Sequence, residues 1–344
     1  MSERRPRLDP AVARIRNEVV ASLGLLDAQS GLIIVACSGG PDSMALASAA
    51  AFALPRRGFE VCAVIIDHGL QPQSREVADR TAAQLLDRGI AASVRSVVTE
   101  VGGQGVEDAA RQARYAALAA TAQETGAVAV MLGHTLDDQA ETVLLGLARG
   151  SGARSLAGMR ARRGLFVRPL LAVRRAETVR SCEAEGLTPW HDPMNDDRAY
   201  LRVRVRHEVL PLLEQELGPG VAGALARTAS QLADDSALLD EQADRLFRDA
   251  AVPGTRTETA MLAATLAEAP PALRRRALRL GVLAAGAPGS GLTFEHLVAT
   301  ERLLGKSNAP AAISLPGGLA ARRRGNQLVI GRADCTDQGI VWQP

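Results

Sequence analysis

At 344 residues, with 47% apolar content and a formal charge of +2, the chain is long enough for two domains with real cores. Its four cysteines, Cys37, Cys62, Cys182 and Cys335, form no C-x-x-C pair, which argues against a zinc, iron–sulfur or disulfide-framework protein. The charged N-terminus lacks a signal-peptide core and no apolar run reaches membrane-spanning length, so a cytoplasmic protein is expected.

Leu32–Cys37 reads as a buried strand and Met44-Ala45-Leu46-Ala47 opens an alanine-rich helix. Between them stands Ser38-Gly39-Gly40-Pro41-Asp42-Ser43. A strand, a glycine turn and a helix N-terminus together make a phosphate site, because free amides and the helix dipole converge there. Ser38 and Ser43 add hydroxyl donors. Asp42 is a carboxylate beside phosphates, which calls for a divalent cation between them, Mg²⁺ being the natural choice. The loop has no lysine, so it is not the G-x-x-x-x-G-K-S/T loop in which a lysine grips a γ-phosphate.

Further strands are expected at Val61–Ile66, which ends at Asp67-His68-Gly69, at Ala92–Val98 and at Val128–Leu132. Helices are expected from about Asp42, and over Ser74–Arg88, Val106–Thr125 and Thr135–Ala148. Apolar strands alternating with helices predict an α/β fold, a doubly wound parallel sheet covered on both faces. Ligands of such sheets sit beyond the strand carboxyl ends. Ser38–Ser43, Asp67-His68 and Gly133-His134 all fall there.

In Gly133–Thr142, His134, Asp137, Asp138 and Glu141 lie at three- and four-residue offsets and share one side of a helix start. Three carboxylates so placed can hold an ammonium, Mg²⁺, or both. Glu107, Arg111, Arg114 and Tyr115 share another helical face. One of the two arginines, Arg111 or Arg114, is expected to reach a triphosphate. His68 is a candidate for adenosine contact.

From Gly150 the text changes: Ser151–Arg180 holds eight arginines against one glutamate, Glu177. Trp190–Asp197 follows, then Arg198, Arg202, Arg204, Arg206 and His207. Past Pro219 the pattern is helical, with a stripe at Leu232, Ser236, Leu239, Ala243 and Leu246, a break at Pro270-Pro271, and Arg274, Arg275, Arg276 and Arg279 within Leu273–Val282. Turns at Pro316-Gly317-Gly318 and Gly325-Asn326 predict a terminal hairpin over Ala312–Ile330. The expected domains are 1–217, a smaller helical domain at 218–307, and a short β-hairpin segment at 308–344.

The loop Ser38–Ser43 resembles that of the N-type ATP pyrophosphatases. With Ile66–Leu70, Glu107-x-x-x-Arg111-x-x-Arg114-Tyr115, Gly133–Thr142, Arg149–Gly152, Arg168–Leu171 and Asp192-Pro193-x-Asn195 in order, residues 30–215 are similar to the tRNA(Ile)-lysidine synthetase family. The chain departs from that family at Val203, where Asn is usual.

The resemblance implies a ligase that activates the C2 oxygen of the wobble cytidine of tRNA(Ile) with a CAU anticodon, using ATP, after which free L-lysine displaces AMP. It implies that Ser38, Gly39, Gly40, Pro41, Asp42 and Ser43 hold pyrophosphate, with Mg²⁺ on Asp42, and that His134 meets the α-phosphate. Asp138 and Glu141 would receive lysine, with Asp137 nearby. Arg154, Arg174, Arg175, Arg202, Arg204 and Arg206 would face tRNA phosphates, and Arg274–Arg279 would form a second anchor. A homodimer is an assembly this reading admits. The rival readings are tRNA cytidine 2-thiolation and a non-catalytic nucleotide-sensing protein of the same fold.

Overall fold

The computed structural model describes residues 8–67, 69, 73–97, 106–150, 152–253, 258–289, 291–305 and 310–333. His68 lies outside them. Two compact units divide at Ala233/Asp234.

Six strands form the sheet of the first unit: β1 (Gly31–Ala36), β2 (Phe59–Asp67), β3 (Ala91–Ser96), β4 (Ala129–Leu132), β5 (Arg162–Arg163) and β6 (Phe166–Val167). Their order is β3-β2-β1-β4-β6-β5. All neighbours run parallel except the β5–β6 edge pair. In β1, Ile33, Ile34 and Val35 are all buried, so both faces of the strand are covered. The first unit's helices are α1 (Pro10–Ala21), α2 (Pro41–Ala53), α3 (Ser74–Leu86), α4 (Val106–Thr125), α5 (Leu136–Ala148), α6 (Ala153–Leu156), α7 (Arg175–Ala184), α8 (Leu201–Arg204) and α9 (Leu210–Leu217), and the division falls within α10 (Val221–Ala250).

One face of the sheet packs Ile33 and Val35 with Ile15 and Val19 of α1, Met44 and Leu46 of α2, Leu85 of α3 and Cys182 of α7. The other packs Ile34, Val64 and Val130 with Leu118 and Ala122 of α4. Alanines at 45, 47, 49 and 50 of α2 are nearly or fully buried, which lets that helix lie close on the sheet in a chain poor in aromatics.

The chain winds outward from β1 through β2 to β3, then returns to lay β4 on the opposite side of β1. That reversal is a topological switch point, where strand ends splay and a crevice opens. The phosphate loop leaves β1 and Gly133-His134 leaves β4, so both border this crevice.

The second unit holds α11 (Ala263–Glu268), α12 (Pro271–Ala284) and α13 (Phe294–Glu301), with α12 starting at the expected proline break. Its antiparallel sheet runs β7 (Ala251–Val252), β8 (Thr259–Leu262), β11 (Gln327–Arg332), β10 (Leu319–Arg324) and β9 (Ile313–Leu315). The expected hairpin is present, β10 and β11 turning at Gly325-Asn326 with Arg324 opposite Gln327. It is not isolated. β8, from the stretch read as helical, pairs along β11, and Leu328 and Ile330 share one core with Leu266, Leu278 and Val282. Four residues are too few to show a strand period against a helical background.

The arginines of α12 are engaged within this unit: Arg274 and Arg275 pair with Glu301 at 2.8 and 2.7 Å, and Arg276 with Asp240 at 2.6 Å. Among the described residues no helix is long and apolar enough to cross a membrane.

Candidate active site at the β1/β4 crevice

The phosphate loop is built by its own hydroxyls. Ser43 Oγ accepts from the Ser38 amide at 3.1 Å and donates to the Gly40 carbonyl at 2.9 Å, while the Ser38 and Ser43 hydroxyls lie 3.3 Å apart. Pro41 occupies the first turn of α2, where its missing N–H costs nothing. Gly39 has φ +83°, and a Cβ there would fall 2.6 Å from Thr81 Oγ1. Gly133 also permits a close approach, since its Cβ would stand 3.1 Å from backbone atoms of Asp42 and Ser43. The loop after α7 closes on the same turn through Trp190 N–H, which donates to the Gly39 carbonyl at 2.9 Å.

A Gly39→Ala variant is therefore expected to lose about 1–3 kcal/mol in thermal or denaturant unfolding and to raise the KM for ATP. Adding Thr81→Ala should return part of the stability, by removing the clash but not the backbone strain. Unchanged melting of Gly39→Ala would contradict this geometry.

The start of α5 assembles the second half of the site. Thr135 caps the helix, and Asp138 completes a capping box by accepting the Thr135 amide at 2.8 Å and hydroxyl at 2.9 Å on Oδ2. Oδ1 of Asp138 is left to face three guanidinium groups: Arg175 at 3.0 Å, Arg202 at 3.2 Å and Arg206 at 3.5 Å. Burial alone would push this carboxyl up, but Arg175, Arg202 and the Thr135 amide hold it down at about 2. Glu141, one helical turn on, is wholly buried and accepts from Arg202 Nε at 2.7 Å and Arg206 Nε at 2.6 Å. Asp137 accepts the Arg175 amide at 2.7 Å and meets the Arg174 guanidinium at 3.3 Å.

Asp42 joins this group. Its carboxylate meets Arg175 Nε at 3.2 Å and accepts from the Thr178 hydroxyl. Burial pushes its carboxyl up, against the pull of Arg175 and Thr178. Arg175, at the first turn of α7, thus bridges Asp42 of the phosphate loop to Asp138 of α5. Local sequence does not mark Thr178, nor Arg175 as a partner of Asp42, because only the folded chain brings α7 over α2.

His134 is pushed down to about 3, first by burial and then by the nearby Arg168 and Arg111, so it is neutral at neutral pH. Its Nδ1 is buried without a hydrogen-bond partner among the described residues. Arg114 lies within electrostatic reach of Arg111 and of Arg202, the partner of Glu141. Burial and the neighbouring Arg111 lower its pKa. Arg111 itself is exposed and lies over the Tyr115 ring, 5.2 Å from its centroid.

The structure brings together Ser38–Ser43, Arg114, His134, Asp137, Asp138 and Glu141. It separates the expected RNA-facing arginines into two kinds. Arg154 is exposed, and Arg204 donates to the Arg198 and Ala199 carbonyls, at 2.8 and 3.2 Å. Arg174, Arg175, Arg202 and Arg206 instead point inward to carboxylates. The reason is electrostatic: buried carboxylates this close together need counter-charges, and these four are within reach. Val203, the position of the family's usual Asn, is the buried residue of α8.

Comparison with known proteins agrees with this architecture. A family model described as a PP-loop domain matches residues 10–213, and one described as a TilS substrate binding domain matches 263–329. The tRNA(Ile)-lysidine synthase of Thermobifida fusca is 50% identical over 321 residues, covering 93% of this chain and 98% of that one. That of Streptomyces coelicolor is 50% identical over 303 residues, covering 87% and 85%. Among solved structures, the U34-tRNA thiolase NcsA of Methanococcus maripaludis superposes with a TM-score of 0.56 at 16% identity, covering 66% of this chain and 81% of that one, a likeness of fold. Loop, crevice and near full-length similarity lead to one assignment: the chain belongs to the tRNA(Ile)-lysidine synthase family.

Proposed function

We propose that this protein ligates free L-lysine to C2 of the wobble cytidine of tRNA(Ile) with a CAU anticodon, consuming ATP and releasing pyrophosphate and AMP in the cytoplasm. The observation that carries this reading is the meeting of the phosphate loop after β1 with His134 and the α5 carboxylates after β4, in a chain half identical to named lysidine synthases.

The loop amides and the Ser38 and Ser43 hydroxyls cradle the β- and γ-phosphates at the N-terminus of α2. Asp42 is the loop's own carboxylate and fits a magnesium ion otherwise held by nucleotide phosphates, the usual arrangement for this cation. When bound, magnesium would neutralise phosphate charge.

Arg114, with Arg111 at the rim, stabilises charge as the α-phosphate passes to the cytidine oxygen. Neutral His134 offers a buried ring nitrogen to the same phosphate. The ε-amino group of lysine, whose unperturbed pKa is about 10.4, must shed a proton to attack. A carboxylate at that nitrogen would hold the proton on. Asp138 or Glu141 therefore serves the α-ammonium, with Asp137 beside it. The nearby guanidinium groups favour the neutral ε-amine.

Incubation with ATP, labelled lysine and unmodified tRNA(Ile) bearing CAU tests the reading. Lysine should enter the RNA only when ATP is present. Sulfur transfer to the cytidine instead, or nucleotide binding with no transfer, would overturn it.

A further inference from the structure

The four carboxylates of the crevice, Asp42, Asp137, Asp138 and Glu141, are matched by four guanidinium groups, Arg174, Arg175, Arg202 and Arg206. Each of these carboxylates already has a guanidinium partner, Arg174 being shared with Glu214 at 3.6 Å. An ammonium entering the cluster gains no net negative partner unless one of the chain's own cations leaves, because an uncompensated buried charge is costly.

Arg175, Arg202 and Arg206 each bridge two carboxylates, and they differ in the elements that carry them. Arg175 is anchored at both ends of its guanidinium, on Asp42 and on Asp138, and its backbone amide is tied to Asp137. Arg202 and Arg206 sit one turn apart on the stretch from α8 into a π-helical segment, Val205–Val209, which leads into α9. Their side-chain exposure, 33% for Arg202 and 21% for Arg206, brackets the 26% of Arg175, while Glu141 beneath them has none. A π-helical turn inside a helix marks a place where its hydrogen-bond ladder is already displaced, and such turns recur at functional sites. The outer side of this stretch also carries Arg204 and Arg198, the latter paired with Glu208 at 3.3 Å, so a phosphate-rich ligand approaching it meets further guanidinium groups.

We propose that Arg202 and Arg206 form a specificity-determining latch: they hold Asp138 and Glu141 as stand-ins for the amine substrate and release them when phosphate groups draw the guanidinium groups outward. Planar guanidinium binds phosphate as bidentately as it binds carboxylate, so the exchange keeps its hydrogen bonds. The α5 carboxylates are then negative and open to an ammonium only when the phosphate-bearing partner is in place. The inference rests on the proposed amine role of Asp138 and Glu141. It adds an order of binding, phosphate ligand first and amino acid second.

Two sources could supply the phosphate, the RNA backbone and the nucleotide. Equilibrium dialysis of labelled lysine against the full-length protein separates them, run with protein alone, with a nucleotide analogue uncleavable between its α- and β-phosphorus, and with unmodified tRNA(Ile). Lysine affinity is expected to rise about tenfold or more in one of the phosphate arms, and the arm that responds identifies the source. Arg202→Gln with Arg206→Gln should bind lysine about tenfold more tightly than the native chain in the protein-alone arm and gain little from added phosphate. Thermal melting checks that this variant is folded, and the three native-chain arms need no variant. Equal lysine affinity in all three native arms overturns the latch, as does weaker lysine binding by the folded variant. The lysine-transfer assay on the native chain is read separately: transfer without the affinity rise removes the latch and leaves the ligase, whereas no transfer in the complete mixture removes the ligase reading.

Discussion

Asp42→Asn is expected to reduce pyrophosphate release about a thousandfold while leaving the fold in place. The side-chain amide still accepts from Thr178, and Arg175 keeps Asp138 at 3.0 Å. What is lost is the loop's only negative charge, and with it the protein's hold on a phosphate-bound cation. Several kcal/mol of charge stabilisation are at stake, about 4 kcal/mol for a thousandfold change. The measurement is pyrophosphate production at saturating ATP, with a melting curve alongside. A rate within tenfold of the native chain would show that Asp42 has only the structural role its contacts with α7 already give it.

Glu141→Ala is the variant expected to damage the fold most. Its carboxylate is wholly buried and takes three guanidinium hydrogen bonds, from Arg202 at 2.7 Å and from Arg206 at 2.6 and 3.1 Å. Removing one partner of a buried ion pair costs about 3–5 kcal/mol, because the charges left behind lose their compensation without regaining water. That is a large part of a domain's total of about 5–15 kcal/mol. The first-unit transition should shift far down in denaturant, and soluble yield should fall. Asp79→Ala serves as the contrast. Its pair with Arg75 spans 2.9 Å, yet both side chains are more than half exposed, so its loss should cost less than about 1 kcal/mol. Equal shifts for the two variants would mean that the Glu141 carboxylate is not held as described.

The features legible in the sequence are those that local patterning dictates. The strand–loop–helix run through Ser38–Ser43 needs only an apolar hexamer, two glycines and a following helix, and it stands where expected. The clustering of His134, Asp138 and Glu141 follows from helical spacing, and Thr135-x-x-Asp138 before an apolar run also carried a capping-box signal. The doubly wound class follows from the alternation of elements.

What escaped is what only the folded chain brings together. Arg175 and Thr178 reach Asp42 because α7 returns across α2, a contact more than 130 residues apart in sequence. The arginines at 174, 175, 202 and 206 look like an RNA-facing strip on composition alone, yet counter-charge demand turns them inward. Within the second unit, β8 is too short to stand out, and it joins the terminal hairpin to the core of α11 and α12.

The account stands on where the nucleotide is broken and what the break delivers. The native chain, given ATP, lysine and unmodified tRNA(Ile) with CAU, should yield one pyrophosphate and one AMP for each lysine found in the RNA. Release of ADP, or pyrophosphate formed with no lysine in the RNA, would contradict it.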